Sequence, residues 1–97
     1  FKVTPIYPRR AQERGIQGYS IVAFTITETG TVEDVVPLEG FCGDPTDPAT
    51  EYRKCSIFNS AASRAALKLK YKPKIVDGNA VKVYDVPHKF TFILEDL

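Results

Sequence analysis

The sequence predicts an α+β fold in which two helices pack on one face of a three-stranded, antiparallel-type sheet. Three observations predict it. Tyr7 to Gly18 holds a helix too short to stand alone, and an alternating stretch follows at once. Phe58 to Leu69 places apolar residues at three- and four-residue steps. Ala80 to Leu94 is again rich in strand formers. The elements therefore run α-β-β-α-β.

Pro8 and Gly15 bracket the first helix, since proline suits a first helical turn and glycine the residue past a helix end. Barely two turns long, it gains too few hydrogen bonds to offset nucleation and must lie against the strand that follows. In that strand Ser20, Val22, Phe24 and Ile26 point one way, while Tyr19, Ile21, Ala23 and Thr25 point the other. Glu28-Thr29-Gly30 is a hairpin turn, and Thr31 to Leu38 returns as the second strand. Pro37 cannot donate to a ladder, so this strand should be an edge, at least at its far end. Glu39 to Lys54 is a long loop. Ser56 can cap a helix from Ile57 to about Tyr71, with Phe58, Ala61, Ala62, Ala65 and Leu69 as its buried stripe. Lys72-Pro73 should end that helix, because the residue before proline is pushed out of the helical region. Asp77-Gly78 is a turn, and Val86, Phe90, Phe92 and Leu94 share one face of the third strand. A third strand antiparallel to the first, with a right-handed crossover, gives the order 2-1-3.

With 97 residues, 43% of them hydrophobic, the chain fits one globular domain, residues 1–97. It opens on Phe1 rather than methionine, and is expected to be cut from a longer, membrane-anchored protein. Charge is unevenly spread. Residues 1–50 hold four basic and seven acidic side chains, residues 51–97 nine basic and five acidic. Arg64, Lys68, Lys70, Lys72 and Lys74 form a basic run, read as the solvated face and exit of a helix rather than as an anion site. No basic stripe is interleaved with aromatics, so nucleic acid is not expected as a partner.

Cys42 and Cys55 flank a polar, Pro-rich segment. A zinc site lacks partners, because His88 is the only histidine and no C-x-x-C occurs. A disulfide closing the loop is the economical reading. It would stabilise the fold by about 3 kcal/mol and implies an oxidising compartment such as the periplasm. Two reduced thiols in a cytosolic loop are the alternative. The same loop offers Phe41, Tyr52 and Arg53, residue types enriched at interfaces.

Catalysis is poorly supported: no catalytic residue, cofactor or metal site is expected. His88 stands alone inside a strand pattern, with no nucleophile assigned to it. Asp44, Asp47 and Glu51 are interrupted by two prolines and lack calcium-loop spacing. What remains is binding. A three-stranded sheet has two edges, and an exposed edge can recruit another chain through its unpaired N–H and C=O groups.

The block Tyr7-Pro8-Arg9-Arg10-Ala11-Gln12-Glu13-Arg14-Gly15-Ile16-Gln17-Gly18 resembles one stretch of the TonB C-terminal domain family, periplasmic energy transducers of Gram-negative bacteria. A second block resembles it too: Phe58-Asn59-x-Ala61-Ala62-x-x-Ala65-x-x-x-Leu69-Lys70-Tyr71-x-Pro73, then Asp77-Gly78. The resemblance extends from Pro5 to Leu94. It implies a domain that captures the N-terminal box of an outer-membrane transporter by strand addition at its third strand. Carried over, that segment is Val81 to Ile93, with Val81, Val83, Tyr84, Asp85, Val86, Lys89, Thr91 and Ile93 as contact positions. Pro87 lies within it and either removes a donor to the guest or marks a bulge. The family also implies a periplasmic location, an inner-membrane anchor, and an energising membrane complex reached through the missing N-terminal region. A homodimer stays open. Two departures stand out: Leu69 occupies a position where the family often has tryptophan, and the loop bearing Cys42 and Cys55 is longer than usual. The alternative within the family is another envelope role, in sensing, secretion or motility; an enzyme or metal-binding domain is the alternative outside it.

Overall fold

The computed structural model describes residues 2–95. Its elements are α1 (Arg9–Glu13), β1 (Gly18–Ile26), β2 (Val32–Cys42), β3 (Arg53–Lys54), α2 (Asn59–Ala66), β4 (Lys74–Val76), β5 (Asn79–Val81) and β6 (Val83–Phe92). β1 is central and antiparallel to both β2 and β6. The three long strands stand in the expected order, but the sheet has four strands, β3-β2-β1-β6, rather than three. β4 and β5 form a separate two-stranded hairpin around Asp77-Gly78.

The fourth strand arises because β2 does not stop at Leu38. Glu39 to Cys42, expected as loop, continue the ladder with β1. The returning chain then pairs Lys54 with Phe41 and Arg53 with Cys42. Cys42 and Cys55 are bonded to each other, with Cα atoms 5.7 Å apart, and the Cys55 N–H donates to the Gly40 carbonyl at 3.0 Å. Two residues of strand, one disulfide and one hydrogen bond thus cover the far end of β2. The edge expected there at Pro37 is open only upstream of that cover.

Both helices lie on the face presented by Val22, Phe24 and Ile26, where Ala11 of α1 and Ala61, Ala62, Ala65 and Ala66 of α2 join one buried cluster. Phe58 is fully buried and stacks on Phe92 at 4.4 Å between ring centroids. Tyr7 stands edge-on to both rings, at 5.8 and 5.7 Å. Phe58 also explains Gly18: a Cβ there would lie 2.9 Å from Phe58 Cε2 and 2.0 Å from the Phe41 carbonyl oxygen. Ser20, buried among these groups, donates to Asn59 Oδ1 at 2.9 Å.

α2 is shorter than the expected Ile57–Tyr71. Phe58, not Ser56, occupies its cap position, and no side chain caps it. At the other end Lys68 and Leu69 donate to Ala65 and Ala66, tightening the last turn. Leu69 still reaches the core. Tyr71 has left the helix and donates to the Gly30 carbonyl at 2.9 Å. The β1–β2 turn therefore claims the segment before Pro73 can end it.

Candidate functional site

Strand β6 is an edge: its inner side pairs with β1 and, among the described residues, no strand lies beside its outer side. From Val86 to Phe92 the ladder to β1 is continuous, Val86 opposite Phe24 and Phe92 opposite Gly18. The one irregularity lies upstream, where Tyr84 and Asp85 together oppose Thr25. Asp85 takes a left-handed conformation at φ 55°, which aspartate tolerates better than most side chains. The bulge therefore sits two residues before Pro87, and Pro87 itself stays in register with Ala23.

The prolines reveal which backbone groups face outward. Pro37 lies opposite Val22 and Pro87 opposite Ala23. Backbone groups of successive residues in a strand turn to alternate neighbours. If Val22 bonds to β6 and Ala23 to β2, neither proline is asked for a donor it lacks. The opposite phase would leave both positions without a ladder bond. With this phase, Val86, His88, Phe90 and Phe92 bond to β1, while Lys89 and Thr91 turn N–H and C=O to the open side. By simple alternation Val83 would share their phase. The Tyr84–Asp85 bulge shifts it, and Val83, opposite Ile26, bonds inward.

The structure gathers most of the expected positions on this strand. Val83, Tyr84, Asp85, Val86, Lys89 and Thr91 lie in β6, and Ile93 is one residue beyond it. Val81 is the exception: it belongs to β5 and pairs with Lys74 in the separate hairpin, because Lys82 interrupts the strand. Lys82 instead binds Glu33 at 2.7 Å, and that partner raises the pKa of its ammonium. The end of β6 is tied down where the Leu94 N–H donates to Gln17 Oε1 at 2.7 Å.

The two faces beside the edge differ. On the helix side, Val3, Leu69, His88 and Phe90 help line an open slot of about 430 Å³ between the N-terminal segment and β6. His88 is half-buried, and its ring lies 4.5 Å from that of Phe90. On the helix-free side, Lys89 holds its Nζ 4.2 Å from the centre of the Tyr19 ring. Burial, with smaller contributions from Glu39 and Tyr52, raises the Tyr19 pKa. Tyr19, Val3 and Leu69 were not singled out as site residues. Only Tyr19 carried a signal, as the first large side chain in the outward-facing register of β1. Phe41 and Tyr52 lie on this face too, whereas Arg53 is an exposed residue of β3. Arg64, in the last turn of α2, and Lys68 just beyond it are exposed, as a solvated helix exit would be. Among the described residues no three of His, Cys, Asp and Glu come together as a metal set.

A family model described as the C-terminal region of the Gram-negative bacterial TonB protein matches residues 3–40. The protein TonB of Pseudomonas aeruginosa is 32% identical over 77 residues, 79% of this chain and 19% of that protein. The chain therefore spans about a fifth of that curated relative's length. It is also similar to the solution NMR structure of the Pseudomonas aeruginosa TonB C-terminal domain. That match has a TM-score of 0.68 and 30% identity, and covers 100% of this chain and 86% of the other. A structure of the TonB2 protein from Vibrio anguillarum matches with a TM-score of 0.62 and 29% identity, covering 99% of this chain and 79% of the other.

Proposed function

The chain belongs to the TonB C-terminal domain family, and on that premise we propose that it grips a short extended peptide by strand addition to β6. The peptide is the N-terminal box of an outer-membrane transporter, and the grip transmits energy for uptake. In the whole protein the domain works in the periplasm, anchored to the inner membrane through a segment upstream of Phe1 and coupled there to an energising complex. Among the described residues no helix is long and apolar enough to cross a membrane. No catalytic step is part of this role.

One observation carries the reading: β6 is an open edge with an unbroken ladder from Val86 to Phe92. A guest strand there gains main-chain hydrogen bonds from Lys89 and Thr91, and its side chains alternate between the slot beside Phe90 and the face bearing Tyr19. Proline is the probe, because it removes one donor and leaves the rest of the ladder. Thr91→Pro should weaken a transporter-derived peptide at least about tenfold, a loss on the scale of one or two backbone bonds, while circular dichroism shows an intact fold. His88→Pro, which removes a bond to β1, should instead destabilise the sheet. A folded Thr91→Pro domain with unchanged peptide affinity would exclude strand addition at this edge.

A further inference from the structure

The loop stapled by Cys42 and Cys55 reaches the same face of the sheet as the open edge. It carries Tyr52 edge-on to Tyr19, 5.1 Å between ring centres, and Phe41 lies 5.4 Å from Tyr19 on the neighbouring strand. Lys89 completes the stack, its ammonium drawn to the negative face of the Tyr19 ring. The register explains the geometry. Lys89 lies opposite Ile21 and Thr91 opposite Tyr19, so the lysine side chain leans along the strand toward the next cross-strand pair. Thr91, with its short side chain, is the edge residue of that pair, and the N-terminal residues Lys2 to Pro5 line the slot along the same stretch of β6. The ion pairs of the described residues join Arg9 to Glu13 and Lys82 to Glu33, leaving Lys89 without a carboxylate partner. Glu39, on the same face, lies opposite Ile21 from the far strand.

We propose that Lys89 is a charge-reading residue of the docking edge, selecting a guest peptide whose side chain opposite Thr91 is a carboxylate. The proposal rests on strand addition at β6. Directly opposed residues of paired strands place their side chains on the same face. A guest Asp or Glu opposite Thr91 therefore rises on the helix-free side, within diagonal reach of the Lys89 ammonium. A guest Lys there meets like charge. A free lysine stem would lose much rotamer freedom on pairing. Here Tyr19 already holds it, and Tyr52 and Phe41 hold Tyr19. The stapled loop is thus a positioning device for selectivity at a site it does not touch.

The test uses a transporter's N-terminal peptide synthesised with Glu, Gln or Lys in turn at each position, titrated into the oxidised domain by fluorescence anisotropy. At one position, and not at those two residues away, Glu should bind roughly three- to tenfold more tightly than Gln, the scale of a partly exposed ion pair, with Lys weakest. Lys89→Gln should abolish the preference and Lys89→Glu should invert it. Tyr52→Ala should reduce it to less than about half, and Tyr52→Phe should keep it, since the ring is what supports Tyr19. Raised salt should shrink it. A Glu preference that persists unchanged in Lys89→Gln, in a peptide whose binding Thr91→Pro still weakens, overturns this proposal and leaves edge binding intact. Binding indifferent to Thr91→Pro overturns both.

Discussion

The outer side of β2 is interrupted and then covered, whereas the outer side of β6 is straight and open from Val86 to Phe92. Along β2 there is an extra residue at Asp34, a second at Leu38, and Pro37 between them. Beyond those, β3 and the Cys42–Cys55 bond close the end of the strand. These are the devices by which sheet proteins prevent unwanted pairing. β6 carries one bulge, at Tyr84–Asp85, and none in the segment that follows. The same domain thus blunts one edge and keeps the other able to pair. Pro87 turns its donor-less nitrogen to the open side as Pro37 does on β2, so β6 gives up one outward donor while Lys89 and Thr91 keep theirs.

The edges are also secured by different means, and this is where the comparison can be broken. β6 is held through Phe92, stacked on Phe58 and flanked by Tyr7. Phe58→Ala removes the central ring of that cluster and should cost about 3–5 kcal/mol, the range for deleting a core aromatic. In native-state hydrogen exchange the amides of β6 should lose protection before those of β2. A cost below about 1 kcal/mol in denaturant unfolding, or β2 opening first, would show that the aromatic cluster does not secure the open edge.

The covered edge depends on the disulfide. Replacing Cys42 and Cys55 together with alanine should cost about 3 kcal/mol, the entropy of closing a loop of this length. The backbone amide at position 55, which donates to Gly40, should exchange faster, while Val86 to Phe92 keep their relative protection. If both edges loosen equally, the staple supports the whole sheet and the contrast between the edges fails.

These contrasts were unequally legible in the sequence. The stripe of Phe58, Ala61, Ala62, Ala65 and Leu69 follows from helical period alone, and all five are buried. The alternation of β1 and the 2-1-3 order of the long strands follow from period and connection rules. The fourth strand does not. Glu39 and Gly40 look like turn residues, and Arg53-Lys54 is a strand through long-range ties, its pairing with Phe41 and Cys42 beside the Cys42–Cys55 bond, that local pattern does not signal. Ser56 has the chemistry of a cap, yet the helix begins beyond it, with Phe58 at the cap position and its ring drawn to Phe92. At the candidate site, the edge itself was legible from strand order. The bulge that separates Val83 from the phase of Lys89 was not, since Asp85 is an ordinary residue whose left-handed backbone is set by tertiary pairing. Nor was the approach of Lys89 to Tyr19, which requires the register of two distant strands.

The bulges offer the finest test, because each long edge carries one with an aspartate in the left-handed region: Asp34 at φ 54° in β2 and Asp85 at φ 55° in β6. The two lie against adjacent residues of β1, Phe24 and Thr25, by the register on either side. If the bulges are fixed by the sheet, both should respond alike to residues that accept or refuse positive φ. Glycine accepts it without steric cost but loses more freedom on folding, so Asp34→Gly and Asp85→Gly should each shift stability by no more than about 1 kcal/mol. Valine refuses it, and Asp34→Val and Asp85→Val should each cost roughly 1–2 kcal/mol relative to the glycine variant, the penalty for a left-handed L-residue. The difference between the edges should then appear in binding. Asp85→Val strains the entry to the open strand and should weaken the transporter peptide as well as the fold, while Asp34→Val should weaken the fold alone. Equal loss of peptide affinity from both, measured well below their melting temperatures, would mean that the guest senses the whole sheet rather than the β6 edge. A valine variant as stable as its glycine counterpart would mean that the bulge had relaxed into regular pairing, and that its position is not built into the sheet.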